Sequence, residues 1–249
     1  MRIIILDDLD EKKAIYRIVR LDHLERMFHY KKNVLVRPSS WDDKFEGQLI
    51  KAGLSFQKDG SKLDCKDRIY AQCWTLEYSS ALMWAAYAKN KFDYVRIQTT
   101  VGKLKESLQS ALDQTYGDFA AYIGKVNYLN YRDMQKQLNE LANSPPSWKT
   151  LSQLTLMKSV AFSGENEVRL IQLMFNEDKR EPLSSYNCDM HQLIDCIRLP
   201  PGLTKEESKE RERFIKKLTG FDKIHRSELY DGKKLKLISF SQNFDPSIF

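Results

Sequence analysis

Hydrophobic and polar residues along this chain switch repeatedly between two periods. A period of two marks strands half-buried in a sheet, and a period of three to four marks helices with one buried face. Residues 14–19 (Ala-Ile-Tyr-Arg-Ile-Val) interleave β-branched and aromatic side chains with a charge and predict a strand. Leu21, Leu24, Met27 and Phe28 then recur at helical spacing, with Asp22 as the expected cap. A strand over 34–36 stops at Pro38 and Ser39-Ser40, and a loop rich in polar and aromatic residues follows. Further strands are expected at 68–74, 94–100, 125–129, 167–173 and 195–199. Helices are expected at 81–88 behind a Ser79 or Ser80 cap, and over 103–112, 132–141 and 150–160. A further helix, from Thr204 to about Leu218, opens with a capping box completed by Glu207. Two late strands, 224–229 and 235–238, would turn at Asp231-Gly232.

Both element types are intermixed without a strict strand–helix–strand rhythm, which predicts an α+β fold with helices flanking a mixed central sheet. Asn143-Ser144-Pro145-Pro146-Ser147 is the clearest linker, because neither proline fits a helix interior. Regular elements continue on both sides of it, so residues 1–249 are expected to form a single domain.

Composition narrows the function classes. Of 249 residues, 42% are hydrophobic and 30% charged, which excludes wholesale disorder. The longest apolar run, Ile3-Ile4-Ile5-Leu6, is far short of the ~20 residues that cross a bilayer. Asp7, Asp8 and Asp10 follow it at once, unlike a secretory signal, so a cytoplasmic protein without membrane contact is expected. A net charge of +6 is mild over this length, and basic and acidic residues alternate in most segments, as over 205–211. Cys65, Cys73, Cys188 and Cys196 do not make a disulfide scaffold. Cys188, His191 and Cys196 lack the paired hooks of a structural zinc site, and buried thiols in a reducing compartment are the better reading. Phosphate-binding glycine loops, a nucleophile elbow and an H-E-x-x-H site are all absent from the sequence.

Three segments remain that could carry chemistry. Trp41-Asp42-Asp43-Lys44-Phe45-Glu46-Gly47 gathers acids and aromatics in one loop. The helix over 81–88 sets Trp84 and Tyr87 three residues apart on one face, as a ligand wall or simply as core. Glu165 and Glu167 are expected on one face of an opening strand, with Asn166 on the other. Such a pair of like charges repels unless a cation, a ligand or water stands between them.

In this order the segments resemble an uncharacterised bacterial family, domain of unknown function 2971. Its opening strand is matched by Tyr16-Arg17-Ile18, its acidic-aromatic loop by residues 41–47, and its Leu-Met-Trp-x-x-Tyr-Ala helix intact by 82–88. Its Lys-Ser-x-x-Trp-x-x-Glu-x-Glu-x-Arg segment is matched by 158–169, and its late Arg-Ser by Arg226-Ser227. Asp42 for Asn, Lys44 for Pro and Phe162 for Trp are the departures. The order of elements is also similar to the ADP-ribosyltransferase fold. That resemblance implies an NAD-consuming transferase, a bacterial defence or toxin effector that modifies a nucleic acid or protein acceptor. Glu167 would be the catalytic acid and Glu165 its acceptor-side partner. Arg17, Trp41, Asp43, Trp84 and Tyr87 would hold NAD. The residues by themselves also fit a non-enzymatic nucleotide or nucleic-acid binding module, or a nuclease placing Asp42, Asp43, Glu165 and Glu167 around Mg²⁺.

Overall fold

A computed structural model describes residues 3–6, 8–41, 55–58, 61–64, 68–112, 119–144, 147–174 and 181–230. Its first half contains β1 (Ile4–Ile5), β2 (Ala14–Arg20), α1 (Leu21–Tyr30), β3 (Lys32–Val36), β4 (Ser55–Lys58), β5 (Ser61–Asp64), β6 (Ile69–Thr75), α2 (Ala81–Tyr87), β7 (Tyr94–Thr100) and α3 (Val101–Leu112). The second half adds β8 (Phe119–Lys125), β9 (Asn127–Leu129), α4 (Tyr131–Ala142), α5 (Trp148–Thr155), β10 (Met157–Ser159), β11 (Glu167–Met174), β12 (Leu183–Asn187), α6 (Met190–Leu193), β13 (Cys196–Arg198), α7 (Lys205–Thr219) and β14 (Ile224–His225).

The main sheet runs β1-β8-β11-β6-β2-β7-β13-β14, with β3 joined to β6 and β12. The β1–β8 and β13–β14 pairs are parallel and the other pairs in this sheet antiparallel, so the architecture is α+β around a mixed sheet. Pairing is uneven. β11 and β6 are zipped over seven residues, yet β6 meets β2 only at Tyr16–Thr75 and β3 only at Val36–Ala71. The sheet therefore opens beside β6.

Alternation along β11 sorts two cores onto the two faces. Val168 and Leu170 join Ile15, Trp74, Ile97, Leu104 and Leu108 on one face. Ile171 and Leu173 join Leu151, Leu154 and Met134 on the other, beneath α4 and α5. Glu167 and Arg169 share this second face by the same alternation. Burying each of these large aliphatic side chains contributes about 1.5–3 kcal/mol, enough to fix the register and with it the charged pair.

Several expectations need correction. Asp22 does not cap α1. The N-cap is Arg20, without a side-chain cap bond, and Asp22 sits in the first turn, ion-paired to Arg20 at 3.1 Å. The helix expected over 150–160 stops at Thr155, because Met157–Ser159 is drawn into parallel pairing with β9 and a 3-10 turn, Val160–Glu165, follows. The strand expected at 125–129 divides between β8 and β9, and the one at 224–229 is only Ile224–His225. Residues 235–238 and the turn at Asp231-Gly232 lie outside the described residues. Ser80 does cap α2, accepting from the Met83 amide at 3.2 Å, and the Thr204/Glu207 capping box is formed. Among the described residues no helix is long and apolar enough to cross a membrane.

Candidate active site

A cavity of about 580 Å³ lies where the sheet opens. Its floor comes from Tyr16, Arg17 and Ile18 of β2 and from residues 71–75 of β6. One wall is Met83, Ala86 and Tyr87 of α2. The other is Lys158, Phe162, Glu165, Glu167 and Arg169, with Trp41 at the rim. The chain thus brings Arg17, Trp41, Tyr87, Glu165 and Glu167 into one cleft. Trp84 is buried but does not line it, so the Trp84–Tyr87 pair divides, Trp84 to the interior and Tyr87 to the cavity. Asp42 and Asp43 lie outside the described residues.

Glu165 and Glu167 do not owe their proximity to a strand pleat. Asn166 is left-handed at φ 44°, so the strand begins only at Glu167 and Glu165 closes the preceding 3-10 turn. Asn tolerates this conformation better than most residues. It is pinned there by a 2.8 Å bond from its Nδ2 to Glu77 Oε1 and by its carbonyl accepting from the Leu76 amide at 2.9 Å. Thr75 Oγ1 donates to the Glu165 carbonyl at 2.6 Å, fixing the turn to β6.

The cation between the carboxylates is Lys158. Its Nζ donates to Glu165 Oε2 at 2.6 Å and to Glu167 Oε1 at 2.5 Å, and it lies 4.8 Å from the Phe162 ring centre. Arg169 Nε donates to Glu167 Oε2 at 2.7 Å, and its Nη1 to the Thr155 carbonyl at 2.7 Å. The Arg169 guanidinium lies 4.5 Å from the Trp41 ring, a cation–π contact. Sequence reasoning did not assign Lys158, Arg169 or Phe162 to the site. The signal was present in the repulsion between two glutamates that demands a buried cation, and Lys158 and Arg169 flank them within one motif.

Environment drives the two carboxyl groups apart. Burial, with the neighbouring Glu167, pushes Glu165 up to about 7, against the pull of Lys158. Burial also opposes the charge on Glu167, but Arg169, hydrogen bonding with Glu165 and Lys158 outweigh it and hold Glu167 well below the usual carboxylate range. Partial burial and both carboxylates raise the Tyr87 phenol above its ordinary value. Burial depresses the Arg17 guanidinium, which is itself buried. Arg17 stands on the face of β2 that carries Ile15 and Val19, the other face from Tyr16 and Glu167, and borders the cavity at the open seam between β2 and β6. Among the described residues no group of three or more His, Cys, Asp or Glu side chains is arranged to hold a metal ion, Cys188, His191 and Cys196 included.

No curated protein matches the chain. Among solved structures, DarT from Thermus sp. 2.9 in complex with ADP-ribosylated ssDNA aligns with a TM-score of 0.39 at 10% identity, covering 89% of this chain and 97% of that one. The same protein in complex with NAD+ gives 0.38 at 11% identity, over 88% and 98% of the two chains. Its complex with carba-NAD+ gives 0.36 at 12%, over 87% and 95%. The family model described as "Protein of unknown function (DUF2971)" matches residues 83–170, the stretch that carries Tyr87, Lys158, Glu165, Glu167 and Arg169.

Proposed function

We propose that the cavity binds NAD and that the protein transfers ADP-ribose from it to a nucleic acid or protein acceptor. The observation that carries this reading is one cleft lined both by an arginine without a carboxylate partner and by two carboxyl groups of divided acidity. A volume of about 580 Å³ is within the usual range for small-ligand sites, ~300–1,000 Å³. Arg17 borders the cavity at the open seam between β2 and β6 and would grip pyrophosphate through it. Tyr87 and Trp41 supply apolar surface at the mouth, where water must be kept from the reacting sugar.

The division of labour follows from the charges. As the nicotinamide–ribose bond breaks, its electron pair leaves with nicotinamide and positive charge develops on the sugar. Glu167, held ionised by Arg169 and Lys158, is a fixed negative charge suited to stabilising that centre. Glu165, near neutrality, is suited to accepting the acceptor's proton as the new bond to the sugar forms. Grouping a permanently charged carboxylate with a proton-exchanging one is a recurrent way to separate these roles. A nuclease built around Mg²⁺ is less well supported, because Lys158 already bridges the two glutamates.

Two variants test the reading by calorimetric NAD titration and nicotinamide release. Arg17→Met removes a buried cation without a carboxylate partner, so its melting temperature is expected to hold or rise while NAD affinity falls at least about tenfold. Glu167→Gln is expected to reduce nicotinamide release about a hundredfold or more, the scale of losing one preorganised charge partner. Wild-type protein that neither binds NAD nor releases nicotinamide with protein, DNA and RNA acceptors supplied would refute the proposal.

A further inference from the structure

The face of the sheet that carries Glu167 and Arg169 continues past the cavity. Through the ladder, Tyr16 lies beside Thr75, Ile18 opposite Arg96, and Arg96 opposite Arg198. Arg96 and Arg198 therefore stand on β7 and β13, the next two strands beyond β2, roughly 5 and 10 Å across the sheet from it. Like charges directly opposite each other on neighbouring strands destabilise a sheet. Nothing among the described carboxylates offsets them: neither arginine is ion-paired to a described residue.

Arg96 is the more demanding of the two. It is 5% exposed, and its Nε and Nη2 are buried without a hydrogen-bond partner. Its guanidinium lies 4.7 Å from the Tyr16 ring and 5.0 Å from the Tyr78 ring, while Arg198 lies 5.6 Å from the same Tyr78 ring. Arg198 donates Nη1 to the Arg226 carbonyl at 2.9 Å, and its Nε is also unpartnered. Burial, and the charge of Arg198, both push the Arg96 guanidinium down. Cation–π contact recovers part of the cost of burying such a group but supplies no acceptor for its N–H donors. Tyr78, 53% exposed, covers both guanidiniums from the loop before α2, and Tyr16 is shared with the cavity.

We infer that Arg96 and Arg198, under Tyr78, form a phosphate subsite contiguous with the Arg17–Glu167 cavity. Two planar forks aimed from adjacent strands suit the tetrahedral oxygens of a phosphate monoester or diester better than a single carboxylate. Tyr78 offers a ring on which an attached base can stack. The phosphate can come from the backbone of a nucleic-acid strand or from a dinucleotide extended out of the cavity. The inference concerns binding alone and stands apart from the transfer reaction.

The test uses Arg198→Gln, since Arg198 is the less buried of the pair, with a thermal melt to establish that the variant is folded. Binding is read with a fluorescein-labelled single-stranded oligonucleotide at several salt concentrations and, separately, with NAD. A tenfold or greater loss for the oligonucleotide, with the log–log salt slope reduced by about one, assigns the phosphate to a strand. A comparable loss for NAD alone assigns it to the dinucleotide. Folded Arg198→Gln and Tyr78→Ala proteins that both bind each probe within twofold of wild type would overturn the inference, as would wild-type protein that binds neither. Nicotinamide release, run in parallel, separates this outcome from failure of the transferase reading: release that persists while neither variant changes binding removes the subsite and leaves the cavity.

Discussion

At the scale of single residues, the cavity is governed by how two glutamates two positions apart come to differ. Glu165 has its pKa raised from an ordinary 4.5 to about 7, so the folded protein holds a proton that the unfolded chain has released between those values. Its contribution to stability is present below pH 4.5 and is lost as pH rises through 7. Glu167 is depressed, so its contribution is present above pH 4.5 and is lost as pH falls below that. Together they place the optimum of this pair near the acidic end of the range between. Glu165→Gln is expected to remove the decline between pH 4.5 and 7 while leaving the acid limb, as measured by urea unfolding across pH. In the transfer reaction, wild-type rate should rise about tenfold per pH unit below 7 and level off above it, and the glutamine variant should lose that limb. A stability profile for the variant that parallels wild type throughout would contradict the assignment.

At the scale of elements, close packing where β8 passes under the segment after α5 helps to position the charged wall. A Cβ on Gly124 would stand 2.7 Å from Leu156 Cδ1 and 3.4 Å from Leu6 Cβ. Gly124 faces Arg169 in the ladder, and Leu156 directly precedes the β10 strand that carries Lys158. Gly124→Ala is therefore expected to cost about 1–3 kcal/mol in chemical denaturation. Adding Leu156→Ala should relieve the clash, so that the double variant loses less than the sum of the two single ones. Strict additivity would count against that contact. Most elements here were legible from periodicity: β2, β6, β7, β11 and α7 begin and end within a residue or two of their expected bounds. The segment after Thr155 was not, since its apolar spacing suits a helix and only pairing with distant β9 makes Met157–Ser159 a strand. For the same reason Lys158 escaped notice, while Arg17, Tyr87, Glu165 and Glu167, which line the cavity, were assigned to a site only through the resemblance in element order and residue type. Trp84 and Tyr87 could not be told apart by helical spacing, because three residues apart on a short helix fits either a shared wall or a wall and its backing.

For the whole molecule, β6 and β11 are the keel. Both are buried almost throughout, both lie in the middle of the sheet, and each contributes to the cores on its two faces. Amide hydrogen exchange is expected to be slowest in these two strands and fastest in the two-residue edge strands β1 and β14. Equal protection across the sheet would mean that the strands do not form this hierarchy. The same arrangement sets Glu167 and Arg169 on β11, while the wall opposite them is the seven-residue α2, with few turns and one buried residue, Trp84. Displacement on ligand entry should fall on that side.

The lysine that joins Glu165 to Glu167 also sets the resting charge of the cleft. Above pH 7, with both acids ionised, Lys158 and Arg169 cancel them and the quartet as a whole is neutral; as Glu165 takes up its proton below that, the quartet turns positive. A negatively charged visitor would then meet no net repulsion from this quartet. On the proposed reading, recruitment and reaction would rest on separate charges, and either could be altered by mutation without erasing the other.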